Sequence, residues 1–317
     1  MDIKRNPGMP LDLKYIEDIR MNRSALERRA ASLGGRRSVK KTWQAAWLLK
    51  ALTVMDLTTL AGDDSEGRVR RLCAKARNPV RKDVLAALGV DGLRIVPGAV
   101  CVYHSFVKTA VKALEGSGIP VAAVSTGFPS GLSPLPLRLQ EIKASVKAGA
   151  SEIDIVIERH MVLNEDWKAL YTLVAKARDA CGEAHLKVIL GTGELGTLNN
   201  VARASMVAMM AGADFIKTST GKEGVNATLP VSLAMVRMIR AYGEMTGYKI
   251  GYKPAGGISD AKTALQYLVL MKEELGNDWL EPELFRIGAS SLLTDIERQL
   301  EHCATGRYAA RAHQPLV

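Results

Sequence analysis

The chain alternates short apolar runs with amphipathic stretches from about residue 90 onward. The runs are rich in Val, Ile and Leu, which favours strands. The predicted strands are Ala99–Tyr103, Val121–Ser125, Glu152–Ile157, Leu186–Leu190, Asp214–Thr218, Ile250–Lys253 and Leu284–Ile287. Between them apolar residues recur at helical spacing. This spacing predicts helices over Ser105–Glu115, Leu135–Lys147, Asn164–Ala180, Asn200–Ala211, Pro230–Glu244, Asp260–Leu275 and Ser291–His302.

An earlier apolar run completes the set. Leu52–Leu57 predicts a first strand, and Arg68–Ala76 predicts a helix after it. Strands that are apolar along most of their length indicate a parallel sheet with helices on both faces. Eight strand–helix units in about 250 residues are typical of an α/β protein with a closed (β/α)8 TIM barrel. The alternative is an open doubly wound sheet, for which we would expect a GxGxxG turn after an early strand, and no early strand is followed by one.

The first 50 residues precede this repeating pattern and also predict helices. The helical stretches are Asp12–Arg20, Ser24–Leu33 and Ser38–Leu49, with turns at Pro7-Gly8 and Gly34-Gly35. We expect them to cover the bottom of the barrel or to pack on its side. The predicted organisation is therefore an N-terminal helical extension over residues 1–50, a barrel over 51–306 and a C-terminal tail over 307–317.

Composition narrows the class of protein. With 317 residues, of which 47% are hydrophobic, the chain can form one large core. No run of about 18 apolar residues is present, which excludes a membrane-spanning helix, and Met1–Arg20 lacks an apolar signal core. The four cysteines are scattered without CxxC spacing, so reduced thiols are expected and metal binding is not. We therefore expect a cytoplasmic protein without a membrane partner.

The positive charge is concentrated near the N-terminus. Residues 1–90 hold 19 Lys and Arg against 10 Asp and Glu, which is +9 of the net charge of +10. Such a region can bind nucleic acid or another anionic surface. The basic runs lack interleaved aromatic residues and coincide with amphipathic helix patterns, so we favour solvated helix faces and expect no nucleic-acid partner.

Two lysines end predicted buried strands and indicate the chemistry. Lys217 follows Asp214-Phe215-Ile216, and Lys253 follows Ile250-Gly251-Tyr252. An ammonium group rarely lies in an apolar run without a functional reason. If the two lie about 5 Å apart at an effective dielectric of about 20, each opposes the charge of the other by roughly 3 kcal/mol, or about two pKa units. A lysine whose pKa is lowered in this way supplies neutral amine, the nucleophile of Schiff-base chemistry.

Other polar residues follow the same rule, because function in this fold lies at the C-terminal ends of the strands. These candidates are Asp56, Cys101, Asp154, Thr192, Glu194, Ser290 and Ser291. Strand alternation puts Asp154 opposite Ile153 and Ile155 and thus inside the barrel, where a carboxylate needs a cation. Lys217 and Lys253 are the expected cations, either in a structural ion pair or in a proton relay that also binds substrate hydroxyls.

The loops after the last two strands indicate a phosphate site. Gly256-Gly257 and Gly288-Ala289-Ser290-Ser291 follow strands seven and eight, where this fold commonly binds phosphate through backbone N–H groups and a helix N-terminus. The alternative for Ser290 or Ser291 is simple capping of the next helix. The five histidines show neither HxH nor HExxH spacing, which favours the lysine mechanism over a divalent metal.

Eight stretches together resemble the deoxyribose-phosphate aldolase family, which are class I aldolases of the (β/α)8 fold. They are Met55–Leu60, Ala99–Tyr103, Gly127–Pro129, Glu152–Asp154, Thr192–Leu195, Phe215–Gly221, Lys253–Ile258 and Gly288–Ser291. The leader around Lys41–Lys50 and the ending Gly306–Tyr308 are similar to the longer, animal-type branch. Glu158, Ser259 and His104 depart from the family pattern.

The resemblance implies a role for each matched residue. Lys217 would form the Schiff base, Lys253 would perturb its pKa, and Asp154 would transfer protons through an ordered water. The implied pocket residues are Asp56, Thr58, Cys101 and Thr220, and the implied phosphate ligands are Lys222, Gly256, Gly257, Ser290 and Ser291.

The implied reaction is the reversible cleavage of 2-deoxy-D-ribose 5-phosphate to D-glyceraldehyde 3-phosphate and acetaldehyde, in deoxyribonucleoside catabolism. It needs no organic cofactor or metal, and the resemblance suggests a homodimer or homotetramer. Two alternatives remain at this point. One is a class I lyase with another aldehyde substrate, and the other is a binding protein that kept the fold.

Overall fold

Eight short strands form one parallel sheet in the computed structural model, which describes residues 5–37 and 39–310. The strands are β1 (Met55–Thr58), β2 (Ala99–Tyr103), β3 (Val121–Ser125), β4 (Glu152–Val156), β5 (His185–Ile189), β6 (Phe215–Lys217), β7 (Gly251–Lys253) and β8 (Ile287–Ala289). Neighbours in the sheet follow chain order from β1 to β7, and β8 pairs with β1. Bridges from Tyr252 to Phe285 and from Ala255 to Gly288 join β7 to the chain at β8, which closes the barrel. The predicted TIM barrel is confirmed.

Helices connect the strands and surround the barrel. In the described part of the chain they are α1 (Leu13–Asp18), α2 (Arg23–Arg36), α3 (Thr42–Thr53), α4 (Glu66–Arg77), α5 (Lys82–Ala87), α6 (Val107–Ala113), α7 (Leu135–Lys147), α8 (Arg159–Leu163), α9 (Trp167–Ala180), α10 (Leu198–Met210), α11 (Leu229–Thr246), α12 (Ala261–Leu275) and α13 (Leu292–Thr305). Side chains such as Asp166, Thr197, Thr228 and Asp260 cap α9 to α12 by accepting a backbone N–H of the first turn. These caps explain why these four helices begin where they do.

Several predicted boundaries were wrong. The first strand begins at Met55 because α3 continues to Thr53. Gly34 and Gly35 lie within α2 rather than in a turn. The last strand is Ile287–Ala289 instead of Leu284–Ile287, because pairing with β1 starts at Ile287. Ser38, with which one predicted helix begins, and residues 311–317 of the predicted tail lie outside the described residues.

The N-terminal helices pack on the side of the barrel. α2 contacts α11 and α12, and α3 contacts α12 and α13. The segment before α1 is held to the barrel by Asn6. This residue is buried and donates to the carbonyl oxygens of Met209 and Ala213 at 2.8 and 2.9 Å. Tyr242 in turn donates its hydroxyl to Asn6 at 2.9 Å. Within the residues described, no helix combines the length and the apolar character that crossing a bilayer requires.

The loop after β5 carries a GxGxxG pattern at Gly191–Gly196, later in the chain than the early-strand position that a dinucleotide-binding turn would occupy. The first two glycines of this pattern lie against protein atoms, which leaves no space for a nucleotide beside them. A Cβ at Gly193 would lie 2.0 Å from the carbonyl oxygen of Val225, and a Cβ at Gly191 would lie 2.8 Å from Nε of Arg159. The pattern therefore does not alter the assignment of the barrel.

Candidate active site

Three strands of the barrel wall carry the predicted catalytic side chains. Asp154 lies on β4, Lys217 at the end of β6 and Lys253 at the end of β7. Lys217 and Lys253 are direct partners in the β6–β7 register, so their side chains enter the barrel at the same level. Ile153 and Ile155 pack in the core outside the barrel, as the alternation along β4 predicts.

The three side chains are in direct contact. Oδ2 of Asp154 accepts from Nζ of Lys217 at 2.7 Å and from Nζ of Lys253 at 2.8 Å. Lys253 also donates to Asp56. Lys217 is 3% exposed, and Asp154 and Lys253 are completely buried. One carboxylate oxygen therefore bridges the two lysines, at the C-terminal end of the barrel.

The two lysines differ in their electrostatic surroundings. Burial lowers the pKa of Lys217, Asp154 opposes this effect, and the neighbouring Lys253 lowers the pKa further, so that the net shift is downward. Burial also disfavours the charge of Lys253, but Asp154 and Asp56 outweigh it and raise the pKa of Lys253. The pKa of Lys253 is therefore raised on balance, although Lys217 is a neighbouring cation, because two carboxylates hold its proton. Lys217, with one carboxylate, is the better nucleophile.

The structure adds three charged residues that lie outside the predicted strand-end positions. They are Glu152 on β4, Lys187 on β5 and Arg286 just before β8, all buried in the barrel. Lys187 donates to Oδ1 of Asp154 at 3.2 Å and also to Glu152. Arg286 donates to Asp56 at 2.6 Å and to both carboxylate oxygens of Glu152, at 3.1 and 2.8 Å. Lys187 interrupts an apolar strand as Lys217 does, and this signal could have identified it.

A cavity of about 270 Å³ opens beside Lys217. The predicted site residues among its lining are Thr58, Lys217, Thr220, Lys222, Gly256, Gly257, Ser290 and Ser291. The structure thus brings together the nucleophile and the two loops after β7 and β8. Asp56 and Cys101 are completely buried and are absent from this lining. Lys253, Lys187 and Arg286 hold the pKa of Asp56 low against the effect of burial, and burial raises the pKa of the Cys101 thiol.

The phosphate candidates have free polar groups facing the cavity mouth. Gly256 and Gly257 both have positive φ, at 80° and 78°, which exposes successive backbone amides. A Cβ at Gly256 would lie 2.5 Å from the Asn226 side chain, so only glycine fits there. Ser291 occupies the N-cap position of α13, yet its side chain makes no capping hydrogen bond. Simple capping, the alternative for this serine, is therefore not what the structure shows.

The loop after β6 has its own internal support. The carboxylate of Glu223 accepts from the backbone N–H groups of Thr220 and Gly221 at 3.0 and 3.1 Å, and from the Thr220 hydroxyl at 2.7 Å. Glu223 is buried, whereas Lys222 is exposed at the cavity. The glutamate therefore fixes the turn that presents Lys222.

Glu194, another strand-end candidate, is not part of the cavity lining and pairs with Arg159 at 2.7 Å. His104, which departs from the family pattern, lies 3.3 Å from Glu141. Glu158, one of the departures from the family pattern, pairs with the buried Arg138. The described residues contain no group of three or more His, Cys, Asp and Glu side chains that could hold a metal ion.

The basic N-terminal helices carry ion pairs along their surfaces. Arg29 and Arg37 pair with acidic residues of α12, and Lys50 pairs with Glu281 at 2.9 Å. In α4, Arg70 pairs with Glu66 one turn away. These contacts support the interpretation of the basic region as solvated helix faces.

Comparisons with known proteins agree with the geometry. A family model described as DeoC/LacD family aldolase matches residues 50–297. The chain is 58% identical over 313 residues to the deoxyribose-phosphate aldolase of Homo sapiens, covering 98% of both chains, and 59% identical over 311 residues to that of Mus musculus, again covering 98% of both. It is similar in fold to the deoxyribose phosphate aldolase of Aeropyrum pernix, described as a unique tetrameric structure, with a TM-score of 0.62 and 22% identity over 88% of this chain and 98% of that one.

Proposed function

The chain belongs to the DeoC/LacD family of aldolases, and we propose that it is the class I aldolase that reversibly cleaves 2-deoxy-D-ribose 5-phosphate to D-glyceraldehyde 3-phosphate and acetaldehyde. One observation supports this more than any other. Lys217 is a buried lysine with a lowered pKa, and it lines a cavity. The same cavity is lined by the loops after β7 and β8 that are predicted to bind phosphate. An aldehyde at one end and a phosphate at the other match this arrangement.

The first step is attack of neutral Lys217 on the C1 aldehyde of the open-chain sugar. Loss of water from the carbinolamine gives a protonated imine, which acts as an electron sink. Lys253 stays charged, because Asp154 and Asp56 hold its proton. The imine nitrogen keeps one N–H, which can still donate to Asp154.

The second step breaks the bond between C3 and C2. Asp154, acting through a water, accepts the proton of the C3 hydroxyl, and the electrons of the bond move into the imine to give an enamine. D-glyceraldehyde 3-phosphate leaves with C3 as its aldehyde carbon. The proton then returns to C2, and water hydrolyses the new imine to release acetaldehyde and regenerate Lys217. The reaction is balanced without an oxidant or a metal.

The phosphate end of the substrate is fixed by the loops after β6, β7 and β8. The amides of Gly256 and Gly257, the hydroxyls of Ser290 and Ser291 and the ammonium of Lys222 surround the same cavity mouth. These groups bind the phosphate through backbone donors, a helix N-terminus and one cation. Thr58 and Thr220 line the wall between the two ends and contact the sugar hydroxyls.

The cellular setting follows from the same proposal. We place the enzyme in the cytoplasm, because its four cysteines are all free thiols. We assign it to deoxyribose catabolism on the basis of the proposed reaction. A homo-oligomer is also proposed, since the Aeropyrum pernix relative is described as tetrameric.

Trapping the imine tests the assignment. The protein is incubated with acetaldehyde and borohydride, digested and mapped by mass spectrometry. We expect one reduced two-carbon adduct, on Lys217, because its neighbours favour the neutral amine.

Lys222 provides a matched control, because it lines the same cavity but is exposed. The Lys222→Ala variant should keep the adduct on Lys217, and Lys217→Ala should lose it. An adduct spread over several surface lysines, or none at all, would contradict the Schiff-base assignment.

A further inference from the structure

A buried layer of charge lies beneath the catalytic lysine. Glu152, Lys187 and Arg286 form it, and each is at most 5% exposed. Phe215 packs against the layer, with Lys187 Nζ and Arg286 Cζ each 5.9 Å from the centre of its ring. The ring occupies the space that a side chain at position 251 would need, since a Cβ on Gly251 would lie 2.3 Å from it. These side chains do not reach the cavity.

This layer and the active site form one hydrogen-bonded network. In the described part of the chain, its carboxylates are Asp56, Glu152 and Asp154, and its cations are Lys187, Lys217, Lys253 and Arg286. With every group charged, the sum is four positive and three negative charges, which leaves +1. An uncompensated charge in a buried site is unfavourable. The network is balanced when one cation loses its proton.

Contacts with carboxylates decide which cation loses its proton. Lys187 contacts three carboxylates, and Lys253 and Arg286 each contact two. Among the described residues, the one carboxylate that Lys217 contacts is that of Asp154. Lys217 is therefore the group whose proton costs least to remove, and the balanced network contains the neutral amine that the reaction needs.

We propose that Lys187 is a positioning residue that keeps Lys217 neutral, by orienting Asp154 and by supplying the positive charge that makes the unprotonated Lys217 the balanced state. The proposal rests on the aldolase function proposed above. Lys187 lies one carboxylate away from Lys217, because Asp154 accepts from Lys187 with Oδ1 and from Lys217 with Oδ2. It acts on the nucleophile without touching the substrate.

The sign of the effect follows from the charges. Without the charge of Lys187, three carboxylates face three cations when Lys217 is protonated, so the protonated amine becomes the balanced state and its pKa rises. Without the charge of Glu152, the network carries +1 even when Lys217 is neutral, so the pKa of Lys217 falls. When both charges are removed, the sum with a protonated Lys217 returns to +1, as in the native protein.

Other groups around Lys217 are unchanged in these variants. Lys253 of β7, Asp56 of β1 and Cys101 of β2 face the same space, and Lys222 shares the cavity. Because they are common to all variants, differences between the variants report on Lys187 and Glu152.

The experiment measures the rate of imine trapping by acetaldehyde and borohydride against pH, together with kcat/KM against pH. We expect the acid limb of Lys187→Met to move upward by more than about one pH unit, and that of Glu152→Gln to move downward by a similar amount. The double variant Lys187→Met/Glu152→Gln should return to within about half a unit of the native limb. Lys187→Arg, which retains the charge, should also stay near the native position.

Controls separate the possible failures. Lys176→Met makes the same substitution on the exposed face of α9 and should leave the limb unmoved. Native protein that gives no adduct on Lys217 would refute the proposed function, whereas an adduct with identical limbs in all variants would refute the role of Lys187 alone. If Lys187→Met does not fold, Glu152→Gln and the double variant still test the proposal. It is overturned if the acid limb of Glu152→Gln does not move downward, or if the acid limb of the double variant does not return toward the native position.

Discussion

The barrel interior is apolar on one side and charged on the other. On β2 and β3, Ala99, Cys101, Ala122 and Val124 form a small apolar cluster. On β4 to β7 the interior positions carry Glu152, Asp154 and the three lysines of the network, which Asp56 of β1 and Arg286 just before β8 complete. Both sides are almost completely buried. Burial alone therefore does not set the character of this interior, and the pairing of charges does.

The difference indicates that the two sides of the barrel interior have different roles. The apolar side excludes water and lowers the local dielectric, which strengthens every charge interaction across the barrel. The charged side then controls where the protons reside. Changes on the charged side should alter activity and its pH dependence, and changes on the apolar side should alter stability.

The largest expected effect is at Lys217. We expect Lys217→Ala to lower kcat/KM by more than about 10³-fold, since no other neutral amine faces the cavity among the described residues. The fold should persist, because Asp154 keeps hydrogen bonds from Lys253 and Lys187. Steady-state kinetics with thermal unfolding checks both statements. A variant that retains a tenth of the native activity would refute the assignment of the nucleophile.

Replacing Lys253 should have the next largest effect. Lys253→Leu removes one positive charge, so a protonated Lys217 becomes the balanced state and its pKa rises. Neutral amine then exists only at higher pH, and we expect the acid limb of kcat/KM to move upward by about one to two pH units. A full pH–rate profile measures the shift.

The matched control for this variant is Lys253→Arg, which keeps the charge and should leave the limb near its native position. An unmoved limb in Lys253→Leu, at a rate close to native, would remove Lys253 from the control of Lys217 and weaken the contrast between the two sides.

Some of the charged residues in the barrel interior can be predicted from the sequence, and others cannot. Lys217, Lys253 and Asp154 stand out because each places a charge in an apolar strand near its end. Lys187 also places a charge in an apolar strand, but it lies in the middle of the strand, and the rule that function lies at strand ends does not select it. Arg286 also interrupts a predicted apolar strand, Leu284–Ile287, but its partner Asp56 is 230 positions away in the chain, so the sequence does not show which carboxylate pairs with it.

The unequal pKa shifts could not be predicted at all. Lys217 and Lys253 have similar local sequences, and each ends an apolar strand. Their difference comes from the number of carboxylates within hydrogen-bond distance, one for Lys217 and two for Lys253. That number depends on how distant strands meet in the barrel. The fold class can be predicted from the periodicity of apolar residues. The protonation of each lysine depends on how many carboxylates the folded barrel brings to it, which the periodicity does not show.

Changes in the phosphate loops, which belong to neither side of the barrel interior, should have a smaller effect than the lysine variants. Ser290→Ala/Ser291→Ala removes two hydroxyl donors, each worth about 1.5 to 3 kcal/mol to a charged acceptor. We expect KM for 2-deoxy-D-ribose 5-phosphate to rise at least about tenfold. Unphosphorylated 2-deoxy-D-ribose is the control substrate, and its kcat/KM should be unchanged. Equal losses on both substrates would show that the serines act on the chemistry and not on the phosphate.

The smallest effect is expected at Cys101, on the apolar side. Resemblance to the aldolases assigns this thiol to the substrate pocket, yet it is completely buried and burial raises its pKa. We expect Cys101→Ala to cost about 1 kcal/mol in the free energy of unfolding, through lost packing. The acid limb should stay within about 0.3 pH units, because no charge has changed. Urea unfolding and a pH–rate profile measure the two quantities together. A shift as large as that of Lys253→Leu would mean that Cys101 belongs with the charged network, and the division of the barrel into an apolar and a charged side would fail at β2.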